Sequence, residues 1–216
     1  LTPVQRQPLG LILAGGRSSR MGLDRPKPLL DVGGRSMVHR VADRLRPFVD
    51  RLVVATDRPE LYAELGADLV FDEVPGYAGP LAGLQAGALH ALASDDGCIG
   101  VVSAPADTPF LPHDLVPRLL AGAGADDVRV VSLAGRLHPV CAFWPTSALT
   151  RLATLRLDAD RAPSLRSVLR ELGFAAVPFP STDLAPGGDP FFNVNTPIDL
   201  ETARSFAVSR GRRGYR

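Results

Sequence analysis

Short apolar runs alternate along this chain with segments whose apolar positions recur at helical spacing, nearly from end to end. That order predicts strands joined by crossover helices in an α/β sheet. "LGLILAG" predicts a first buried strand, and Ser36 then stands before Met37, Val38, Val41 and Leu45 on one helical face. "RLVVAT" predicts a second strand, "PELYAEL" a short helix closed by Gly66, and "DLVFD" a third strand. A turn-rich loop, "EVPGYAGP", leads into the helix "LAGLQAGALHALA", and "CIGVVSA" predicts a fourth strand. The remainder predicts a helix over Leu115 to Leu120, strands "VRVVSLA" and "VCAFW" separated by "GRLHP", helices near 146–157 and 164–172, a strand at "FAAVPF", and a last helix from Pro197. No repeat or linker forces a boundary. A single domain over 1–216 is expected, with its core at about 8–207 and a basic, flexible tail over 208–216.

Such a sheet also predicts where chemistry sits, because open α/β sheets bind ligands outside the carboxyl ends of their strands. The unusual loops all fall there. "GGRSSR" follows the first strand, "TDRPE" the second, "DEVPGYAGPLAG" the third and "PADTP" the fourth.

Composition narrows the class. The 216 residues are 45% hydrophobic with a net charge of +1, as expected of a globular protein with no broad basic face for duplex nucleic acid. Aromatic residues at 6% are too few for a base-stacking platform. No apolar run approaches the ~20 residues of a membrane span, and "LTPVQRQPLG" lacks the basic-then-apolar order of a secretory signal, so a cytoplasmic protein is expected. Cys98 and Cys141 lie far apart in apolar runs and are expected to be small core residues.

The loop after the first strand holds most of the candidate chemistry. Gly15 and Gly16 let a ligand approach the backbone, and Arg17, Arg20, Arg25 and Lys27 add cations. The spacing matches neither the P-loop nor the dinucleotide fingerprint. Lys27 is the only lysine among 24 Lys plus Arg residues, which points to a place where a compact ammonium is wanted rather than a planar fork. Asp107, stiffened by flanking prolines at the end of a buried strand, is either a Mg²⁺ anchor or the cap of the helix that follows. Asp72 and the "GYAGPLAG" segment suit a base or ribose, and Asn193 and Asn195 either cap the last helix or donate to a phosphate or pterin-like ring. His138 reads as a positional residue. No Ser-His-Asp elbow and no His/Cys metal cluster appears, which disfavours a covalent enzyme intermediate.

Taken in order, "LAGGRSSRMG", Lys27 in "KPLL", "GPLAGLQAG", "PADTPFLP", "HP" and "FFNVNTP" resemble the molybdenum cofactor guanylyltransferases, of the MobA-like nucleotidyltransferases, over about residues 8–205. The resemblance implies a Rossmann-like nucleotidyltransferase fold with a mostly parallel central sheet flanked by helices. It also implies transfer of GMP from GTP to molybdenum-molybdopterin with release of pyrophosphate. By position, Leu13, Ala14 and Gly15 would contact guanine, Arg20 and Lys27 the triphosphate, Asp72 the nucleoside, and Asp107 both Mg²⁺ and nucleotide. Asn193, Asn195 and Arg166 would lie on the pterin side, and the implied partners extend to the molybdoenzyme apoproteins or chaperones that receive the product. Two departures stand out: the family pattern Met-Gly-x-Asp-Lys is interrupted here by Arg25-Pro26, as in sugar-phosphate nucleotidyltransferases, and Asp57 stands where an asparagine is expected. A CTP-dependent molybdopterin or sugar-phosphate nucleotidyltransferase, or a non-catalytic nucleotide-binding protein of the same fold, is the alternative.

Overall fold

The computed structural model describes residues 6–15, 26–71, 79–94, 97–157 and 162–213. Its strands are β1 (Leu9–Leu13), β2 (Leu52–Ala55), β3 (Asp68–Val70), β4 (Gly100–Pro105), β5 (Arg129–Leu133), β6 (Arg136–Pro145) and β7 (Ala175–Phe179). They form a seven-stranded sheet in the order β3-β2-β1-β4-β6-β5-β7. Every pairing is parallel except those of β6, which runs against both β4 and β5. The mostly parallel α/β sheet expected from the alternation of runs is therefore present.

Period-two alternation divides the strand side chains between two faces. Ile12, Val54 and Val102 pack with Val38, Val41 and Leu45 of α1 (Met37–Leu45) and Leu115 and Leu119 of α3 (Leu115–Leu120). Their neighbours Leu11, Val53 and Val101 point the other way, onto α2 (Pro80–Ala93), α4 (Thr146–Ala153) and α5 (Leu165–Leu172). A last helix, α6 (Pro197–Arg213), closes a smaller apolar cluster described below.

Three local expectations differ from the structure. "PELYAEL" is two single 3₁₀ turns, Pro59–Leu61 and Ala63–Leu65, although Gly66 does close them in the left-handed region at φ 56°. "GRLHP" is not a connector between strands. Ala134 and Gly135, both at positive φ, reverse the chain in two residues, and Arg136 to Pro139 already belong to β6. Pro139 is tolerated there because the β5–β6 register jumps from Val130↔Ala142 to Val131↔His138, leaving the proline in a bulge with no ladder partner. The third difference is the basic tail: α6 continues to Arg213, inside the stretch expected to be flexible. Arg210 explains part of that length, since its guanidinium pairs with Asp183 and lies over the Phe206 ring.

Gly100 opens β4 at φ 150°, where a Cβ would collide with the Trp144 carbonyl oxygen and sit 2.7 Å from the Phe143 ring. Gly100→Ala is expected to lower stability in urea unfolding by about 2–3 kcal/mol, through strain and overpacking together. A loss under about 0.5 kcal/mol, the range of ordinary surface changes, would contradict the contact.

Candidate active site

The carboxyl ends of β1, β2 and β4 define one edge of the sheet. Leu13 and Ala14 are tied to their neighbours there: the Ala106 amide donates to the Leu13 carbonyl at 3.0 Å and the Ala14 amide to the Ala55 carbonyl at 2.9 Å. Gly15, the next residue, is exposed, with open space where a side chain would be. The start of α2 comes close over this edge, because a Cβ on Gly83 would lie 3.1 Å from both Ala55 and Leu13. Beyond β2, Asp57 is exposed, and nearby Tyr62 has its phenol pushed up to about 12 by burial, with the Asp57 charge adding to it.

Three residues far apart in sequence meet at this edge. Lys27, in a single 3₁₀ turn (Lys27–Leu29), places its Nζ against the Asp107 carboxylate and donates to Asn195 Oδ1 at 3.0 Å. Only 17% of the Lys27 side chain and 15% of the Asp107 side chain are exposed, so this contact is well screened from water. The apolar cluster beneath explains the convergence. Leu30, Val32 and Met37 from the lysine segment pack with Phe110 from the Asp107 loop and with Val194, Leu200 and Ala203 from the Asn195 segment. Backbone contacts add to it, since the Val194 amide donates to the Asp107 carbonyl at 3.0 Å.

Helix capping is excluded for Asp107 and for both asparagines. Asp107 does not cap the next helix, which begins eight residues later at Leu115 behind Asp114. Neither asparagine side chain caps α6: the Asp199 amide donates to Thr196 Oγ1 at 3.2 Å, and Asp199 Oδ2 accepts the amides of Asn195 and Thr196 at 2.9 and 2.8 Å. Burial opposes ionisation of Asp199, but those hydrogen bonds and the Lys27 charge outweigh it and hold its carboxyl below the usual range.

Next to the Lys27–Asp107 contact opens a cleft of about 380 Å³, whose walls include Thr108, Arg136, His138, Arg166, Asn193 and Asn195. Arg166 reaches it from the first turn of α5, and Asn195 belongs both to the cleft and to the lysine contact. His138, a positional residue by its sequence context, has its ring 4.9 Å from that of Phe191 and lines the cleft, with burial pushing the imidazole below its ordinary pKa, Asp189 raising it and Arg136 lowering it. The bulge at Pro139 and a hydrogen bond of 2.7 Å from Ser103 Oγ to the Val140 carbonyl hold this part of β6 in place. Arg136 and Thr108 were not singled out from sequence, and the bland "GRLHP" and "ADTP" contexts carried no signal for them.

Of the remaining expected site residues, Arg20 and Asp72 lie outside the described residues, as do Gly16, Arg17 and Arg25. Among the described residues, no three His, Cys, Asp or Glu side chains gather as a metal cage. The donor set that does exist suits Mg²⁺, which needs only one or two carboxylates plus substrate oxygens. Asp107 Oδ1 is buried and without a hydrogen-bond partner, an oxygen available to a cation. Cys98 and Cys141 are not bonded to each other, and burial pushes the Cys141 thiol well up, so Cys141 is not poised as a nucleophile. No helix among the described residues is long and apolar enough to cross a membrane.

Comparison with known proteins gives the family and the fold. The MobA-like NTP transferase domain model matches residues 10–177. A molybdenum cofactor guanylyltransferase of Rhizobium meliloti (strain 1021) is 39% identical over 202 residues, spanning 92% of this chain and 91% of that protein. One from Cereibacter sphaeroides is 43% identical over 198 residues, 91% of this chain and 95% of its own length. Among solved structures, the molybdopterin-guanine dinucleotide biosynthesis protein A of Archaeoglobus fulgidus superposes with a TM-score of 0.68 at 23% identity, covering 93% of this chain and 99% of that one. Rv0371c of Mycobacterium tuberculosis, solved as a manganese complex, gives a TM-score of 0.61 at 20% identity over 92% of this chain and 98% of its own. At those identities the two structures speak for the fold.

Proposed function

We infer that this chain, which belongs to the MobA-like NTP transferase family and is a nucleotidyltransferase, transfers GMP from GTP to molybdenum-molybdopterin and releases pyrophosphate. The observation that carries this reading is the meeting of Lys27, Asp107 and Asn195 at the strand ends, with the Asn193–Arg166 cleft opening beside it. Asn195, which contacts Lys27 and also lines the cleft, supports adjoining places for a donor nucleotide and an acceptor.

In this reading guanine lies over the Leu13 to Gly15 turn, Asp72 serves the nucleoside, and Arg20 and Lys27 face the triphosphate. An acceptor phosphate oxygen attacks the α-phosphorus in line, forming the new P–O bond as the bond to pyrophosphate breaks. No protein nucleophile is needed, so the protein's part is positioning and charge neutralisation. Lys27 would direct its charge to the leaving phosphates, while Asp107 Oδ1, the carboxylate oxygen that Lys27 does not contact, would serve the metal. Mg²⁺ held by Asp107 and phosphate oxygens would supply charge neutralisation for the departing pyrophosphate. The chain acts as one nucleotidyltransferase domain in the cytoplasm, passing its product to molybdoenzyme apoproteins or their chaperones.

Mass spectrometry after incubation with GTP, Mg²⁺ and molybdenum-loaded molybdopterin is expected to show the guanine dinucleotide. Its absence while a sugar phosphate reacts would overturn the assignment. Turnover is expected to be supported by GTP over CTP; the reverse preference would move the chain to the cytidylyltransferases. Binding of GTP with no pyrophosphate released would indicate a non-catalytic binding protein.

A further inference from the structure

Among the described residues, four buried side-chain polar atoms lack a hydrogen-bond partner: Asp107 Oδ1, Thr108 Oγ1, Arg129 Nε and His138 Nε2. Asp107 Oδ1 has its role in the functional reading. Thr108 and His138 both line the cleft beside it, and Thr108 is only 1% exposed. A buried hydroxyl left without a partner costs stability, and such groups in a folded protein are completed by water, an ion or a ligand. The antiparallel register of β4 on β6, Ser103 opposite Ala142, brings the loop after β4 that carries Asp107 and Thr108 toward the His138 end of β6.

We propose that the Thr108 hydroxyl and the His138 Nε2–H donate hydrogen bonds to the phosphate monoester group of the acceptor, holding its attacking oxygen beside the metal carboxylate. This rests on the cleft being the acceptor site. Three features select the phosphate over the heterocyclic end. Thr108 follows Asp107 directly in the chain, and in-line attack brings the acceptor oxygen to about 3–3.5 Å from the α-phosphorus, so the phosphate end belongs on this side of the cleft. Two donors match a group that offers only acceptor oxygens. Arg136 and Arg166 add positive charge to the same walls. Asp189, the carboxylate in the same cleft, accepts the Phe191 amide on its Oδ1 at 2.7 Å.

Thr108→Val keeps the shape and removes the hydroxyl, so it separates ligand binding from folding. The expected result is an acceptor KM raised about tenfold or more, the scale of a lost hydrogen bond to a charged group, with the GTP KM unchanged. Thr108→Ser is expected to restore most of the affinity. The thermal midpoint of Thr108→Val is expected to hold or rise, because an unpartnered buried hydroxyl has been removed; a structural role would lower it. His138→Gln, which keeps a donor near Nε2, is expected to retain more acceptor affinity than His138→Leu. An unchanged acceptor KM in Thr108→Val, or a lowered midpoint with both KM values raised, overturns the proposal. Titrating inorganic phosphate into protein loaded with Mg²⁺ and a non-hydrolysable GTP analogue tests it without turnover. Wild-type protein should bind phosphate more tightly than Thr108→Val, and equal or absent binding overturns the contact. Failure to form the dinucleotide with intact phosphate binding would sink the functional reading alone.

Discussion

Asp107→Asn is expected to release pyrophosphate from GTP at least ~10²-fold more slowly than the unsubstituted protein, the scale of removing one charge partner from a transition state. Asparagine keeps the shape and one oxygen for Lys27, so the fold should survive, with a stability loss of roughly 1–2 kcal/mol because the part-buried ammonium loses its counter-charge. What disappears is the negative charge at the buried, otherwise unpartnered Oδ1. A coupled pyrophosphate assay at saturating GTP and Mg²⁺ reads the effect. Turnover within about threefold of the original would show that no metal or transition-state charge depends on this carboxylate.

Lys27→Ala should be as damaging to turnover, about 10²-fold or more, and for a second reason also to stability. The ammonium bridges Asp107 and Asn195, and its removal leaves a carboxylate that is 15% exposed without its cation. Losing one partner of a fully buried pair costs about 3–5 kcal/mol; partial exposure here reduces the expected loss to roughly 1–2 kcal/mol. Lys27→Arg should not restore turnover, since a planar fork cannot replace a point charge held between those two side chains. Combining Lys27→Ala with Asp107→Asn should cost less than the sum of the two in both stability and rate, because the residues act as one unit. Near-normal pyrophosphate release by Lys27→Ala would overturn the role given to the lysine.

Elements whose apolar periodicity matches their burial were legible in the sequence. The face Met37, Val38, Val41, Leu45 is the buried face of α1, and Leu115–Leu120 is α3 as expected. What failed were places where local signals compete. "PELYAEL" has the apolar spacing of a helix, but its seven residues are too few to repay nucleation, and the chain settles for two 3₁₀ turns around Tyr62. "GRLHP" looks like a turn because it contains glycine and proline, yet the two-residue reversal at Ala134 and Gly135 does all the turning and a bulge absorbs the proline. The basic 208–213 stretch looks like a solvated end until Asp183 and Phe206 are seen to hold Arg210.

Lys27, Asp107 and Asn195 were each legible as unusual, by rarity, by rigid flanks and by position before a helix. Their meeting was not, because spacing along the chain says nothing about three loops converging on one apolar cluster. His138 shows the opposite limit: its environment, a cleft wall built by an antiparallel strand and a bulge, does not exist until long-range pairings form.

The contact between Lys27 and Asn195 joins positions 168 residues apart. During synthesis the lysine emerges first, the loop after β4 then supplies the carboxylate, and the asparagine follows only with the segment that leads into α6. A nascent chain therefore carries an unfinished Lys27–Asp107–Asn195 cluster until that segment is made, with Lys27 lacking one of its two partners. The cluster is completed only as α6 docks, so fragments ending before Val194 should be inert however well their sheet has formed.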